Sequence, residues 1–95
     1  MKTDLDFGSL NLYTQVHYSN IPQNTPEQNT PSGYSIQYNA GTEAIEALHL
    51  RSNVAILAAA HVKDVGWKGT NMWSYDQWIG SIGEARWMEA FWIDI

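Results

Sequence analysis

The sequence predicts an all-β domain, and three of its features carry this prediction. Segments 12–18 and 87–95 are rich in β-branched and aromatic residues, which favour strands, and 54–62 is an apolar stretch that contains a histidine. Glycine, proline and asparagine interrupt the stretches between them, as turns require. The same order of features occurs twice, in 12–51 and in 54–95. We therefore expect a single domain of two related three-stranded units packed around an aromatic core.

Composition narrows the classes of partner. The 95 residues are 44% hydrophobic and 16% charged, which is too apolar for a disordered chain and sufficient for one small core. Five basic against ten acidic residues give a net charge of −5, and the basic residues do not cluster, which argues against a nucleic-acid partner. The absence of cysteine excludes disulfides and thiolate zinc sites. The longest apolar run, 54–60, is too short to span a membrane.

The first unit follows a polar stretch in which Leu5 and Phe7 alternate with acids and suggest a short edge strand. Residues 12–18 predict the next strand. Segment 22–33 contains a tandem Gln-Asn-Thr-Pro duplicate and all three prolines, so we expect an exposed loop there. Segment 33–38 alternates with a period of two and predicts another strand.

Segment 43–51 is ambiguous on propensity alone. Thr42 could cap a helix that places Ile45 and Leu48 on one face. The counterpart segment 87–95 is dominated by aromatic residues and ends in alternating isoleucines, which is typical of a strand. Because the two segments occupy the same place in the repeated order, we predict a strand for both.

An internal repeat organises the chain. It aligns two pairs of segments, 16–21 with 60–65 and 45–50 with 88–93. His17 is thereby equivalent to His61, and Glu46 to Glu89. We expect the two histidines to make a shared structural hydrogen bond. The two glutamates should be buried acceptors for backbone amides or for Arg86.

The segment 67–78 combines tryptophan and tyrosine with amide and carboxylate groups. Sugar recognition needs a flat aromatic face and convergent polar groups, and this segment supplies both. The candidate ligand-binding residues are Trp67, Asn71, Trp73, Tyr75, Asp76, Gln77 and Trp78. A competing prediction places Trp67 and Trp78 in the core, whereas Trp73 is expected to be exposed.

Trp87 and Trp92 are candidate interface residues. They are five positions apart in a predicted strand, so they should face opposite sides, with one of them in the core. The other would cover a second unit or a partner. We expect a homo-oligomer, with a dimer as the default.

Residues 55–95 follow a pattern of His-Val, Gly-Trp, a second tryptophan, a glycine turn, arginine and Glu-Ala. The matching positions are His61, Val62, Gly66, Trp67, Trp78, Gly80, Gly83, Arg86, Glu89, Ala90 and Ile93. The pattern resembles the ChW repeat, the clostridial hydrophobic repeat with conserved tryptophan. Segment 12–51 follows it weakly, at His17, Gly41, Glu46 and Ala47.

The resemblance implies a β-rich module of extracellular or cell-surface proteins that serves adhesion or the recognition of glycans and cell walls. Such repeats often occur in threes, whereas two are present here. This difference suggests an incomplete pseudo-threefold prism or barrel that oligomerisation completes. The N-terminus has no apolar segment typical of a secretory signal, so the protein would be cytoplasmic if Met1 is its native start.

Catalytic and metal-binding signals are weak. His17, His49 and His61 are separated by 32 and 12 residues, which fits no compact ligand motif, and we expect neither metal nor cofactor. A glycosidase role for Glu46 and Glu89 is a poorer explanation than a structural one. The chain has no nucleophile motif and no phosphate-binding loop, so we expect no enzymatic activity.

The sequence thus favours a lectin-like, non-catalytic module that binds carbohydrate or cell-wall glycan through the segment 67–78. Two alternatives come from other classes. One is a small acidic inhibitor that binds a protein, of the phage or mobile-element type. The other is a structural subunit whose exposed tryptophans contact only copies of itself.

Overall fold

A computed structural model describes residues 11–31 and 44–95, and it confirms the all-β prediction. Six strands form one open antiparallel sheet: β1 (Asn11–Tyr18), β2 (Gln28–Pro31), β3 (Ile45–Val62), β4 (Gly66–Gly69), β5 (Ser74–Gly80) and β6 (Met88–Asp94). The strands predicted around Leu5 and at 33–38 lie outside these ranges. Whether the assembly completes a pseudo-threefold prism stays a prediction.

The described ranges contain no helix that could cross a membrane.

Strand β3 is the centre of the sheet. Its first half pairs with β1 and with β5 through the same residues, for example Leu48 and Leu50, so β1 and β5 lie on opposite edges. Its second half pairs in the same way with β4 and β6 through 59–62. β2 extends the sheet beyond β1. The strand predicted for 43–51 is therefore confirmed over 45–51, and it continues without a break into the following apolar segment.

Alternation along β3 decides which face is the core. Its even-numbered residues from Leu48 to Val62 are buried with one exception, Val54, and most odd-numbered ones face the other side. The buried cluster consists of Val16, Tyr18, Leu48, Leu50, Ile56, Ala58, Ala60, Val62 and Ile79. The expectation of an aromatic core is wrong for the described residues, because Tyr18 is the only aromatic side chain in this cluster.

The exposed loop predicted for 22–33 is only partly correct. Residues 22–24 and 26–29 are exposed. Four residues at the end of the segment nevertheless form β2, in which Gln28 pairs with Thr14 and Asn29 with Tyr13. β1 offers an unpaired backbone edge, and pairing with that edge outweighs the low strand propensity of the segment.

The two aligned units share a local geometry. His17 pairs with Ala47 across β1 and β3, and His61 pairs with Ala90 across β3 and β6. A β-bulge follows the histidine in both cases. The extra residue on the facing strand is the aligned glutamate, Glu46 in one unit and Glu89 in the other.

The turns after these strands are equivalent as well. Asn20 and Asp64 both have a φ of 64°, in the left-handed region that asparagine and aspartate tolerate. The amide of Ser19 donates to the carbonyl of Ala44 at 2.8 Å. The amide of Lys63 donates to the carbonyl of Trp87 at 3.0 Å, the matching position in the second unit.

Gly80 lies where the second unit meets the first. It has a φ of 101°, and a Cβ there would lie 3.0 Å from Cα of Ala47 and closer still to the carbonyl oxygen of Glu46. The next residue, Ser81, donates its amide to that carbonyl at 3.1 Å. Only glycine combines this backbone conformation with such a close approach.

We expect Gly80→Ala to lower the free energy of unfolding by about 3 kcal/mol, because it combines backbone strain with a clash against β3. Gly83→Ala is the matched control. Gly83 also has a positive φ, of 80°, but open space surrounds it, so its loss should be about 1 kcal/mol. Urea unfolding followed by tryptophan fluorescence measures both. Equal losses in the two variants would contradict the close approach of the units.

Candidate functional site

The face of β3 opposite the core carries a cluster of polar and aromatic side chains. His49 and Arg51 lie on this face, and the facing residues of the neighbouring strands β1 and β5 surround them. Glu27, just before β2, reaches the same place. We call this set the outer-face cluster: Tyr13, Gln15, Glu27, His49, Arg51, Asp76 and Trp78.

His49 lies at the middle of the outer-face cluster and is largely buried. Its Nδ1 lies 2.9 Å from Oε1 of Gln15, and its Nε2 lies 2.5 Å from Oδ1 of Asp76. The amide nitrogen of Gln15 donates to the carbonyl of Thr25 at 3.1 Å, which fixes Oε1 as the atom that faces the ring. Since both facing atoms are acceptors, the two hydrogen bonds form together only when both ring nitrogens carry a proton.

Trp78 covers one side of this histidine. The two residues are paired across β3 and β5, and their rings stack with centroids 4.8 Å apart and an interplanar angle of 21°. Trp78 itself is half-buried. The stacking fixes the indole in one orientation and leaves part of its surface open to a ligand.

Arg51 and Glu27 form a bidentate ion pair next to His49. Nη2 of Arg51 donates to Oε1 of Glu27 at 2.6 Å and Nε donates to Oε2 at 3.2 Å. This hydrogen bonding lowers the pKa of Glu27 below its ordinary value and raises the pKa of Arg51. The guanidinium also lies over the ring of Tyr13, 4.1 Å from its centroid.

The candidate ligand-binding residues of segment 67–78 do not lie together in the structure. Asp76 and Trp78 belong to the outer-face cluster. Gln77 lies between them and points to the opposite face, where it is buried and its Nε2 donates to the carbonyl of Ile56 at 2.8 Å. Its surroundings are those of a core residue, because adjacent residues of a strand face opposite sides.

The remaining members of the predicted set are exposed. Asn71, Trp73 and Tyr75 lie on the surface at or just before the start of β5, and the predicted exposure of Trp73 is confirmed. The expectation that Trp67 belongs to the core is wrong. Trp67 is exposed on β4, where it contacts the ring of His61 edge to face at 5.2 Å, because β4 has no covering layer among the described residues.

Trp87 and Trp92 are also both exposed, so the expectation that one of them lies in the core is wrong. Trp87 precedes β6, and Nζ of Lys63 lies 3.6 Å from its ring centroid. Trp92 lies within β6, next to Ala59 of β3. The five-residue separation gave no information on burial because Trp87 is not part of the regular strand.

Each aligned histidine lies near the glutamate of its own unit. Nε2 of His17 is 3.7 Å from Oε1 of Glu46, and both side chains are buried. They line a pocket of about 350 Å³ at the junction of the two units. Nδ1 of His61 lies 3.0 Å from Oε1 of Glu89, but this pair is exposed, so the expected burial is correct for Glu46 and wrong for Glu89.

The partner proposed for these glutamates lies elsewhere, since Nη1 of Arg86 is 3.5 Å from Oδ2 of Asp64. Within 11–31 and 44–95, no group of three or more histidine, cysteine or acidic side chains could hold a metal ion.

Sequence reasoning missed most of the outer-face cluster. No motif of the sequence singles out Gln15, Glu27, Arg51 or Tyr13, and the spacing of His49 from the other histidines bears only on metal or acid–base sites. One signal in the sequence could have indicated this cluster. His49 and Arg51 are two residues apart in a predicted strand, which places both side chains on one face. Their partners depend on strand register, which joins residues 24 to 34 positions apart.

Comparison with known proteins gives no relative. No family model matches the chain, and no curated protein or solved structure was found to be similar to it. The likeness to the ChW repeat therefore stays a prediction.

We expect Arg51→Gln to raise the pKa of Glu27 toward its ordinary value, because the bidentate hydrogen bond is lost. A carboxyl with a lowered pKa in the folded state stabilises the fold above its unfolded pKa and loses that contribution as the pH falls through its folded pKa. The wild type should therefore lose more stability on acidification than Arg51→Gln.

The pKa of Glu27 is measured by NMR titration of its side-chain carboxyl carbon, and stability by urea unfolding at neutral and acidic pH. Lys63→Gln is the matched control, since it removes one positive charge that lies over Trp87. An equal change of the Glu27 pKa in both variants would show a general charge effect and contradict the assigned pair.

Proposed function

We propose that this protein is a non-catalytic recognition module that binds carbohydrate, in the form of a cell-wall or surface glycan, at the outer-face cluster. One observation carries the proposal. Aromatic rings, a guanidinium, an imidazole, an amide and two carboxylates converge on a single face of the sheet. Sugars present apolar C–H faces and many hydroxyl groups, so they need this combination of a flat surface and directional polar groups.

The polar groups of the cluster are accessible as well as fixed. The side chain of Asp76 is 61% exposed and that of Arg51 is 45% exposed, so both can reach a bound hydroxyl. Each is also held by a neighbour, His49 for Asp76 and Glu27 for Arg51. A ligand would then meet groups that are already ordered, which reduces the entropic cost of binding.

Trp73, which is exposed just before β5, extends this surface. Trp73 and Tyr75 lie on either side of Ser74, whose hydroxyl donates to the carbonyl of Asp76 at 2.8 Å. This hydrogen bond ties the start of β5 to the cluster. A glycan longer than one sugar could therefore contact both the cluster and Trp73, whereas Tyr75 lies in β5 on the same face as Gln77.

The acidic-inhibitor alternative has less support on this face. An inhibitor that imitates an acidic ligand needs carboxylates that are free to meet a basic partner. Glu27 is paired with Arg51, and Asp76 is hydrogen-bonded to His49. These contacts make the face mixed in charge rather than uniformly negative.

A glycan array followed by calorimetric titration of the best ligand tests the proposal. Asp76→Asn should weaken binding roughly tenfold, because hydrogen bonds to a charged acceptor are about twice as strong as those to a neutral one. Asp94→Asn is the matched control, since it removes the same charge from an exposed position on β6. Its affinity should equal that of the wild type.

Two results would overturn the assignment. One is a folded protein that binds nothing on the array. The other is an equal loss in Asp76→Asn and Asp94→Asn, which would indicate a dependence on net charge alone. Trp73→Ala separates the contribution of this flanking aromatic residue from that of the cluster.

A further inference from the structure

We propose that the outer edge of β6 is an interface for a second copy of this chain, with the two β6 strands pairing antiparallel about a twofold axis. This inference does not depend on glycan binding. It rests on a comparison of β6 with the first half of β3, to which the internal repeat makes it equivalent.

On one edge the two strands have neighbours that are equivalent in the internal repeat. β1 pairs with the first half of β3, and the second half of β3 pairs with β6, with the bulge at the same place. Their other edges differ. The first half of β3 pairs there with β5 through 47–51. Across the described ranges, β6 pairs with β3 alone.

Equivalent residues of the two strands differ in exposure for this reason. Leu48 is 6% exposed, whereas the equivalent Phe91 is 52% exposed. The side chain of Glu46 is 3% exposed, whereas that of Glu89 is 45% exposed. The second unit therefore presents to solvent a surface that the first unit buries.

The segment that covers the equivalent surface of the first unit shows what kind of segment could bind to the exposed surface of β6. β5 runs antiparallel along the edge of β3, Trp78 stacks on His49, and Ser81 donates an amide to Glu46. On β6 the residue equivalent to His49 is Trp92, which is exposed. An added antiparallel strand with apolar side chains would form hydrogen bonds with the free backbone edge of β6 and would cover the rings of Phe91 and Trp92. A bare edge of this kind is a template for pairing with another chain.

A second copy of β6 meets these requirements. Two identical strands pair antiparallel when a twofold axis relates them, which is the commonest symmetry of homodimers. Phe91 is the middle residue of β6, and a register centred on it places each Phe91 beside its copy. In that register Glu89 faces the partner's Ile93, and Asp94 faces the partner's Met88. The acidic residues of β6 are thereby kept out of direct opposition, which favours this register.

Single-cysteine variants test the pairing, because the chain has no cysteine of its own. Residues directly opposite in an antiparallel pair have Cα atoms about 5 Å apart, within the range of a disulfide. Phe91→Cys should therefore form a disulfide-linked dimer in air. Tyr75→Cys is the matched control, because Tyr75 is also exposed but lies on β5, and it should stay monomeric on a denaturing gel.

Charge variants give a second test in solution. Sedimentation of the wild type should show a dimer that dissociates on dilution. Phe91→Lys and Phe91→Glu should each weaken association at least tenfold, since like charges would face each other across the axis. An equimolar mixture of the two should associate again. Tyr75→Lys should behave as the wild type.

Four results would overturn the proposal. The first is a wild type that is monomeric at every concentration, with β6 amides that exchange rapidly with solvent. The second is a monomer in which these amides exchange slowly, because another segment of the same chain would then cover the edge. The third is equal cross-linking of Phe91→Cys and Tyr75→Cys. The fourth is a mixture of the lysine and glutamate variants that stays monomeric.

Discussion

Backbone pairing on both edges of β3 is the interaction on which the rest of the structure depends. Four of the five other strands are hydrogen-bonded to it, two along each half. A strand that is paired on both sides has its two faces fixed, so alternate residues must point to the core or away from it. The side chains of Leu48, Leu50 and Ile56 therefore point into the core. Those of His49 and Arg51 point to the opposite face. The outer-face cluster is a direct consequence of this constraint.

The same local geometry has different consequences in the two units. The side chains of His17 and Glu46 are buried, and Gly80 and Ser81 of the second unit lie against the backbone of Glu46. The equivalent pair in the second unit has the same bulge but remains exposed. Burial of a polar pair is therefore set by what covers it and not by the strand pairing that brings it together. Covering by a further unit or a further chain would make the two pairs alike.

Much of the fold could be predicted from the sequence, and the candidate site only in part. The β-branched and aromatic composition of 12–18 and 87–95 predicted strands, and the repeat related segment 43–51 to a strand against its helix propensity. Asp76 and Trp78 could be found because aromatic and polar residues adjoin along the chain. Glu27 could not, because it lies in a segment that reads as an exposed loop, and its partner Arg51 is 24 residues away.

The sequence by itself determined most of the strands and the repeated order that makes His17 equivalent to His61 and Glu46 equivalent to Glu89. These features depend on neighbouring residues and on a repeated pattern, which are local properties. Only the tertiary structure decided that Gln77 is buried while Trp67 is exposed, and that Gln15, His49 and Asp76 meet. Such contacts depend on strand register and on which edges are covered. Both are set by pairing between distant segments, and residue type does not encode them.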